Sequence, residues 1–338
     1  MIINPMRAGI IKGCWQYSGG HGAVSHDPIH DLMLFADAGI TTFDCADIYT
    51  GVEETLGAFR SEYARRRGRV ALAGLRFHTK FVPDLDVLAH INREYVERII
   101  DRSLRRLEME RLDLVQFHWW DFAIPGHVET IGMLADLQRA GKIRHIGVTN
   151  YDVAHLREIV ESGVTIVSNQ VQYSVLDDRP EHGMTAYCRK NAIGLLCYGT
   201  VAGGFLSETF LGVPEPRGDL VNRSLTKYKY IIDDWGGWAL FQELLHALDR
   251  VAHTHGVSIS EAAIAYIRMQ EAVTGVILGM SARRIDMLEQ IVRVNLTPQD
   301  HHVISEVLEQ AHALPGDVYE LERRPGKHSA IMRYNLNA

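Results

Sequence analysis

Residues 41–49 read TTFDCADIY, an apolar run of strand composition that ends near Asp44 and is followed five residues later by Tyr49. Two other runs end in the same way, LRFHTK at Lys80 and LDLVQFH at His118. A buried Asp, Lys or His is costly unless it is paired or takes part in chemistry. Because these groups recur at the ends of strand-like runs, they predict both the fold and the position of a functional site.

Strand-like runs alternate with helical stretches along most of the chain. The helical stretches carry apolar residues at a spacing of three to four and are Tyr95–Met109, Val128–Ala140, Val153–Glu161 and Phe241–His255. The eight candidate strands are Ala8–Cys14, Ile40–Cys45, Gly74–Lys80, Leu112–His118, Ile143–Thr149, Ile166–Gln172, Gly194–Gly199 and Gly275–Gly279. This alternation predicts parallel strands with right-handed crossovers, and eight such units close into an α/β (β/α)₈ TIM barrel.

A doubly wound open sheet is the competing fold. Its dinucleotide-binding fingerprint should follow the first strand, and the text found there, GCWQYSGGHG, does not have that spacing. We therefore expect a single barrel domain over residues 1–338, interrupted by two segments. The first is a long loop over residues 200–238, rich in Gly, Pro and aromatics, and loops of that length are usually functional. The second is a tail over residues 316–338, which either covers the pocket or crosses the outer helices.

The composition excludes several classes of protein. The hydrophobic content is 46%, the charged content is 23% and the formal net charge is -7, with dispersed Lys and Arg, so a nucleic-acid partner is not expected. No signal-peptide core and no apolar run of about twenty residues occurs, so we expect no membrane partner. The four cysteines form no CxxC pair, which fits a reducing compartment and predicts a cytoplasmic location.

The strand-end residues form a set with a specific chemical logic. In a barrel, the ends of neighbouring strands meet at one face. A tyrosine has a pKa of about 10, and a nearby ammonium lowers it, so Lys80, held by Asp44, is expected to make Tyr49 a usable acid. His118 is expected to donate a hydrogen bond to a substrate oxygen. This set provides a general acid that faces a carbonyl group. It contains no nucleophile, no set of metal ligands and no reductant.

Several motifs together resemble those of the aldo-keto reductase superfamily. They are FDCADIY followed by Glu53, Glu54 and Leu56-Gly57, then HTKF, LVQFHWWD, GVTNY and SNQVQY. The resemblance implies a (β/α)₈ barrel that uses NADP(H) to interconvert carbonyls and alcohols. By position, it makes Tyr49 the proton donor, Lys80 and Asp44 its tuning pair, and His118 the group that orients the carbonyl.

The same resemblance implies cofactor contacts at the ends of most strands. The residues concerned are Gly13, Cys14, Trp15, Asp44, Thr149, Asn150, Gln170, Tyr198, Gly199, Thr200, Ala202, Gly204, Leu206, Gly279, Ser281, Arg283, Arg284 and Gln290. Thr149, Asn150 and Gln170 match positions that hold the nicotinamide carboxamide, and Tyr198 matches the ring on which nicotinamide stacks. The pyrophosphate would lie over residues 199–206. The guanidinium of Arg283 or Arg284 can donate two hydrogen bonds to a 2′-phosphate, which favours NADPH over NADH.

The substrate side is predicted to be aromatic. Its residues by position are Trp15, Tyr49, His118, Trp119 and Trp120, with Trp235 and Trp238 of the long loop as further candidates. Aromatic side chains suit either a ring-shaped apolar substrate or a sugar face. We expect an NADPH-dependent carbonyl reductase acting on a small molecule. The alternatives are an NAD(P)-dependent dehydrogenase of a sugar or polyol, and a cofactor-binding regulatory subunit similar to channel-associated relatives.

Overall fold

The computed structural model describes residues 9–18, 25–218 and 220–337, and its described strands form a closed parallel barrel in chain order, with β1 pairing with β8. The strands are β1 (Gly9–Gly13), β2 (Thr42–Asp44), β3 (Arg76–Phe81), β4 (Leu112–Phe117), β5 (Ile143–Thr149), β6 (Ser168–Gln172), β7 (Gly194–Tyr198) and β8 (Val273–Leu278). The predicted (β/α)₈ barrel is confirmed. The bounds of β5 are those predicted, β8 begins two residues earlier than predicted, and Ala8 lies outside the described residues.

Helices connect the strands and form the outer layer. They are α1 (Pro28–Asp37), α2 (Val52–Arg67), α3 (Arg69–Leu72), α4 (Arg93–Arg106), α5 (His127–Arg139), α6 (Val153–Glu161), α7 (Met184–Lys190), α8 (Arg223–Trp235), α9 (Gly237–His255), α10 (Ile259–Arg268), α11 (Met287–Arg293), α12 (Pro298–Leu308), α13 (Glu320–Arg323) and α14 (Lys327–Ala330). Local signals fix several starts. The side chains of Asn92 and Asp152 accept hydrogen bonds from the amides of Tyr95 and His155, which caps α4 and α6. None of the described helices is long and apolar enough to cross a membrane.

The alternation of side chains along the strands separates the core from the site. In β4, Val115 and Phe117 belong to the large apolar cluster shared with the helices, whereas Leu114 packs with Ile11 and Leu196 in a separate small cluster. Successive side chains of a strand point to opposite faces, so Leu114, Gln116 and His118 share the inner face. The inner face of the barrel therefore changes from apolar to polar toward the carboxyl ends of the strands.

The segment at residues 200–238 is not the long loop that we expected. It contains α8, and the phenol of Tyr228 on this helix packs against Gly199, where an added Cβ would lie 2.2 Å from the Tyr228 oxygen. Trp235 and Trp238 are buried in a second apolar cluster with Phe205 and Phe241. The two tryptophans are therefore core residues, because α8 and α9 bury them, and they are not pocket residues as predicted.

The C-terminal tail, residues 316–337 of the described chain, crosses the carboxyl ends of the strands. Asp317 accepts a hydrogen bond from the amide of Val153 at 3.1 Å. At the far end of the tail, the amide of Asn337 donates to Asp84 Oδ1 at 3.0 Å, and its side chain donates to the carbonyl of Val82 at 2.6 Å. The tail thus runs from the start of α6 to the loop after β3.

Gly57 lies where α2 crosses α4, and this contact gives a test of the packing. An added Cβ would lie 2.2 Å from the carbonyl oxygen of Arg106. We expect Gly57→Ala to lower the free energy of unfolding by about 1–3 kcal/mol, because the two helices must separate. Gly132→Ala in α5 is the matched control, because no atom lies within 4 Å of its added Cβ. That variant should be neutral or more stable by up to about 1 kcal/mol in urea unfolding. Equal midpoints for the two variants would contradict the packing described here.

Candidate active site

Charged and phenolic side chains meet at the ends of β2 and β3. The ammonium of Lys80 donates to Asp44 Oδ2 at 2.6 Å and to the carbonyl of Cys45 at 2.8 Å. Asp44 and Lys80 are 3% and 5% exposed, so this ion pair is buried. The ammonium also lies 5.2 Å from the ring centroid of Tyr49. The structure therefore brings together Asp44, Tyr49 and Lys80 as the sequence predicts, with the buried His118 following the next strand.

The carboxylate of Asp44 receives two further hydrogen bonds from inside the barrel. Its Oδ1 atom accepts from Gln116 Nε2 at 2.8 Å and from Gln170 Nε2 at 2.9 Å, and Gln170 also donates to Gln116 Oε1 at 2.8 Å. The sequence analysis did not identify Gln116. The available signal was a glutamine inside the apolar strand LDLVQF, two residues before His118 and therefore on the same face. These glutamines fix Asp44 from below.

The protonation of Tyr49 differs from the expectation. Burial raises the pKa of Tyr49, and the charge of Lys80 opposes this effect without overcoming it, so the pKa is raised above its usual value of 10. Burial also lowers the pKa of Lys80, but the charge of Asp44, the neighbouring Tyr49 and the hydrogen bond to Asp44 together outweigh it, and the net shift is upward. The expected lowering of the Tyr49 pKa is therefore not found, because desolvation of the phenolate dominates. Tyr49 holds its proton, and Lys80 stays charged.

His118 is neutral, with its free nitrogen buried. Burial, followed by the charge of Arg323, lowers the pKa of His118 to about 3. Its Nδ1 atom lies 3.2 Å from the carbonyl oxygen of Thr149, and because a carbonyl can only accept, we assign the ring proton to Nδ1. The other nitrogen, Nε2, is buried and has no partner among the described residues. With the proton on Nδ1, Nε2 can act only as an acceptor, whereas the sequence analysis predicted a donor.

The residues predicted to hold the nicotinamide end lie at the ends of β5, β6 and β7. The hydroxyl of Tyr198 donates to Asn150 Oδ1 at 2.9 Å, and Asn150 has a left-handed backbone with φ 61°. The hydroxyl of Thr149 donates to the carbonyl of Gln170 at 3.1 Å. Thr200 Oγ1 is buried without a partner in the described chain. The free hydroxyl of Thr200 and the ring of Tyr198 fit a nicotinamide group, whereas Asn150, Thr149 and Gln170 already have partners within the protein.

The segment predicted to hold a pyrophosphate turns tightly after β7. Ala202 and Gly203 have φ values of 47° and 67°. The space beside Gly199 and Gly203 is taken by Tyr228 of α8, whereas a Cβ added to Gly204 would meet nothing within 4 Å. The side chain of Leu206 is buried. The room left by the first two glycines therefore serves helix packing in this structure.

The segments after the neighbouring strands β1 and β8 lie against each other. Gln16 donates from its side chain to the carbonyl of Gly279, and the amide of Cys14 donates to the carbonyl of Asp44 at 2.9 Å. Gly13 packs against Ile277, and Trp15 is half-buried. Ser281 Oγ accepts from the amide of Arg283, which begins a short 3₁₀ turn. Residues Arg283, Arg284 and Gln290 are exposed.

The two tryptophans after β4 have different environments. Trp120 stands perpendicular to His118, with ring centroids 4.3 Å apart, and its indole donates to the carbonyl of Pro83 at 2.8 Å. Trp119 is fully buried, contacts the ring of Phe117 and donates to the carbonyl of Ile124. Trp120 therefore borders the site, whereas the side chain of Trp119 belongs to the core.

The C-terminal tail closes the site from above, which decides between the two positions left open by the sequence. The ring of Tyr319 stands perpendicular to His118, with centroids 5.4 Å apart. Arg323 donates to the carbonyls of Trp119, Trp120 and Asn150 at 3.0, 3.2 and 2.8 Å. Neither residue was identified from the sequence, because nothing in the spacing of residues 316–338 shows where the tail packs. Within the described ranges, no group of three or more His, Cys, Asp or Glu side chains is arranged to hold a metal ion.

Known proteins resemble this chain over most of its length. The Aldo/keto reductase family pattern matches residues 9–309. The chain is 27% identical to the aldo-keto reductase YhdN of Bacillus subtilis, over 90% of each chain. It is 25% identical to the NADH-specific methylglyoxal reductase of Escherichia coli, over 88% of this chain and 93% of that protein. The solved structure of a glycerol dehydrogenase from Gluconobacter oxydans has the same fold, with a TM-score of 0.73, 20% identity and coverage of 91% and 93%. The chain belongs to the aldo/keto reductase family.

Proposed function

We propose that this protein is an NADPH-dependent reductase that converts an aldehyde or ketone to an alcohol, with Tyr49 as the proton donor. The observation that carries the proposal is the buried Lys80–Asp44 pair beside the protonated phenol of Tyr49. A nicotinamide cofactor bound beside Tyr198 would supply the hydride. Tyr49 would give its proton to the substrate oxygen, and the fixed charge of Lys80 would stabilise the phenolate that remains.

A second function is favoured by the free nitrogen of His118. Because Nδ1 carries the ring proton, Nε2 is an acceptor suited to a hydroxyl group. An alcohol or a hydroxylated carbonyl compound would satisfy it, whereas a plain carbonyl oxygen would not. This feature supports the alternative of an NAD(P)-dependent dehydrogenase acting on a sugar or polyol. A panel of aldehydes, quinones and keto sugars with NADPH, followed by the absorbance of the reduced nicotinamide, distinguishes the two.

The phenol of Tyr49 is tested by removing its oxygen. We expect Tyr49→Phe to lower kcat for carbonyl reduction by about 10²- to 10⁴-fold, since the general acid is lost. The dissociation constant for NADPH should change little, because the ring remains. Tyr187→Phe on the outer helix α7 is the matched control and should keep full activity. A Tyr49→Phe enzyme with the wild-type rate would rule out this residue as the acid.

The raised pKa of Tyr49 predicts different pH profiles for reduction and for oxidation. The protonated phenol predominates below its pKa, so kcat/KM for reduction should stay flat from about pH 6 to pH 9. Oxidation of the alcohol needs the phenolate, and its kcat/KM should rise about tenfold per pH unit over the same range. A reduction rate that falls through pH 7–8 would show that Lys80 lowers the pKa after all.

Discrimination between NADPH and NADH is proposed to reside in the exposed arginines after β8. We expect Arg283→Ala or Arg284→Ala to raise the dissociation constant for NADPH about tenfold, because one charge-assisted contact is lost. The dissociation constant for NADH should not change. Arg293→Ala on α11 is a control, because that side chain pairs with Glu289 instead. Unchanged NADPH and NADH dissociation constants in both arginine variants would place the 2′-phosphate elsewhere, or would mean that NADH is the cofactor.

A further inference from the structure

An ammonium group of the inserted helix α8 lies inside the closed site. Lys227 Nζ is 5.3 Å from the ring centroid of Tyr198 and 5.5 Å from that of Tyr319. Tyr319 in turn stands against His118. One phenol ring thus separates Lys227 from the histidine that faces the substrate. The side chain of Lys227 is only 15% exposed, so its charge acts in a partly desolvated space.

The partner of this ammonium is a carboxylate from the C-terminal tail. Glu322 Oε1 lies 2.8 Å from Lys227 Nζ, and the Glu322 side chain is 1% exposed. Burial would raise the pKa of Glu322, but the charges of Lys227 and Arg179 lower it to about 2, so it is ionised near neutral pH. The carboxylate of Glu322 is held by Lys227 and by a contact with its own amide, and neither oxygen accepts a well-formed hydrogen bond from any other described residue.

This poor coordination is unlike that of another buried carboxylate nearby. Asp177 accepts hydrogen bonds from Nε and Nη2 of Arg179, each at 2.7 Å, and from Gln172 Nε2 at 2.6 Å. A buried carboxylate normally collects several donors, and one that does not calls for an explanation. Arg179 binds Asp177 and also donates to the carbonyl of Asp317 in the tail at 3.3 Å, whereas Glu322 pairs with Lys227.

Two features set the tail apart from the rest of the chain. Tyr319 has a left-handed backbone with φ 60°, which is strained for an aromatic residue and recurs at functional sites. The family pattern also ends at residue 309, before the tail begins. The contacts above His118 therefore come from a segment outside the range that the family pattern matches.

We propose that Lys227 is a specificity-determining residue that binds a carboxylate of the substrate, and that Glu322 occupies this anion position in the closed arrangement. The substrate class is an aldehyde or ketone that carries a carboxylate several bonds from its carbonyl carbon. The inference rests on the proposed reductase function. In binding, the substrate carboxylate replaces that of Glu322 on the ammonium, and the tail moves aside.

The test compares 4-oxobutanoate with butanal, an uncharged aldehyde of the same length. Glu322→Gln removes the competing charge and should lower KM for 4-oxobutanoate about tenfold, with KM for butanal unchanged. Lys227→Met should raise KM for 4-oxobutanoate about tenfold and again spare butanal. Lys229→Met is the matched control, because this lysine of α8 pairs with Glu215 and Asp233 instead.

Other outcomes overturn the inference. If each variant shifts KM equally for both aldehydes, the pair is only a structural clamp. If Lys227→Met raises the dissociation constant for NADPH without changing the preference between the aldehydes, the ammonium belongs to the cofactor site. Thermal unfolding shows whether each variant is folded. If Lys227→Met is not folded, the KM values of Glu322→Gln for the two aldehydes decide the test. If the wild type reduces no carbonyl, the proposed function fails. The dissociation constant of glutarate, measured by calorimetry, then tests the anion site separately. If the site exists, glutarate binds more tightly to Glu322→Gln than to the wild type.

Discussion

The buried ion pair between Lys80 and Asp44 is the constraint on which the site depends. Two charges with so little exposure are tolerated only when every donor and acceptor is satisfied. Lys80 therefore also donates to the carbonyl of Cys45, and Asp44 also accepts from Gln116 and Gln170. These contacts join β2, β3, β4 and β6. A register shift of one residue in any of these strands would turn its polar side chain into the helix layer.

The same burial sets the protonation of Tyr49 and His118, the two groups proposed to face the substrate. Desolvation penalises charge, so it raises the pKa of Tyr49 and lowers that of His118 to about 3. The site thus combines a neutral phenol and a neutral imidazole beside a fixed ammonium. In the proposed reaction, a proton leaving Tyr49 would create a phenolate next to Lys80, and this favourable interaction would arise only as the proton is transferred. That distinction is what separates catalysis from tight ground-state binding.

The upper wall of the site is built by two segments outside the regular strand–helix repeat. Helix α8 supplies Lys227, and the C-terminal tail supplies Tyr319, Glu322 and Arg323. A second contact between α8 and the tail joins Asp234 with Lys327 at 2.6 Å and His328 at 2.7 Å. The two segments therefore form one cover over a conventional barrel. In the function proposed above, the barrel would supply the chemistry and the cover would select the substrate.

The sequence by itself determined the barrel and the identity of Asp44, Tyr49, Lys80 and His118, because strand ends meet at one face and local periodicity places each residue there. It also pointed to Asn150 and Tyr198, which contact each other. Only the tertiary structure decided the direction of the pKa shift of Tyr49, the ring proton of His118 and the roles of Gln116 and Gln170. It alone placed Trp119 in the core and the tail above His118. These properties depend on desolvation and on contacts between residues far apart in the chain, and no local pattern encodes them.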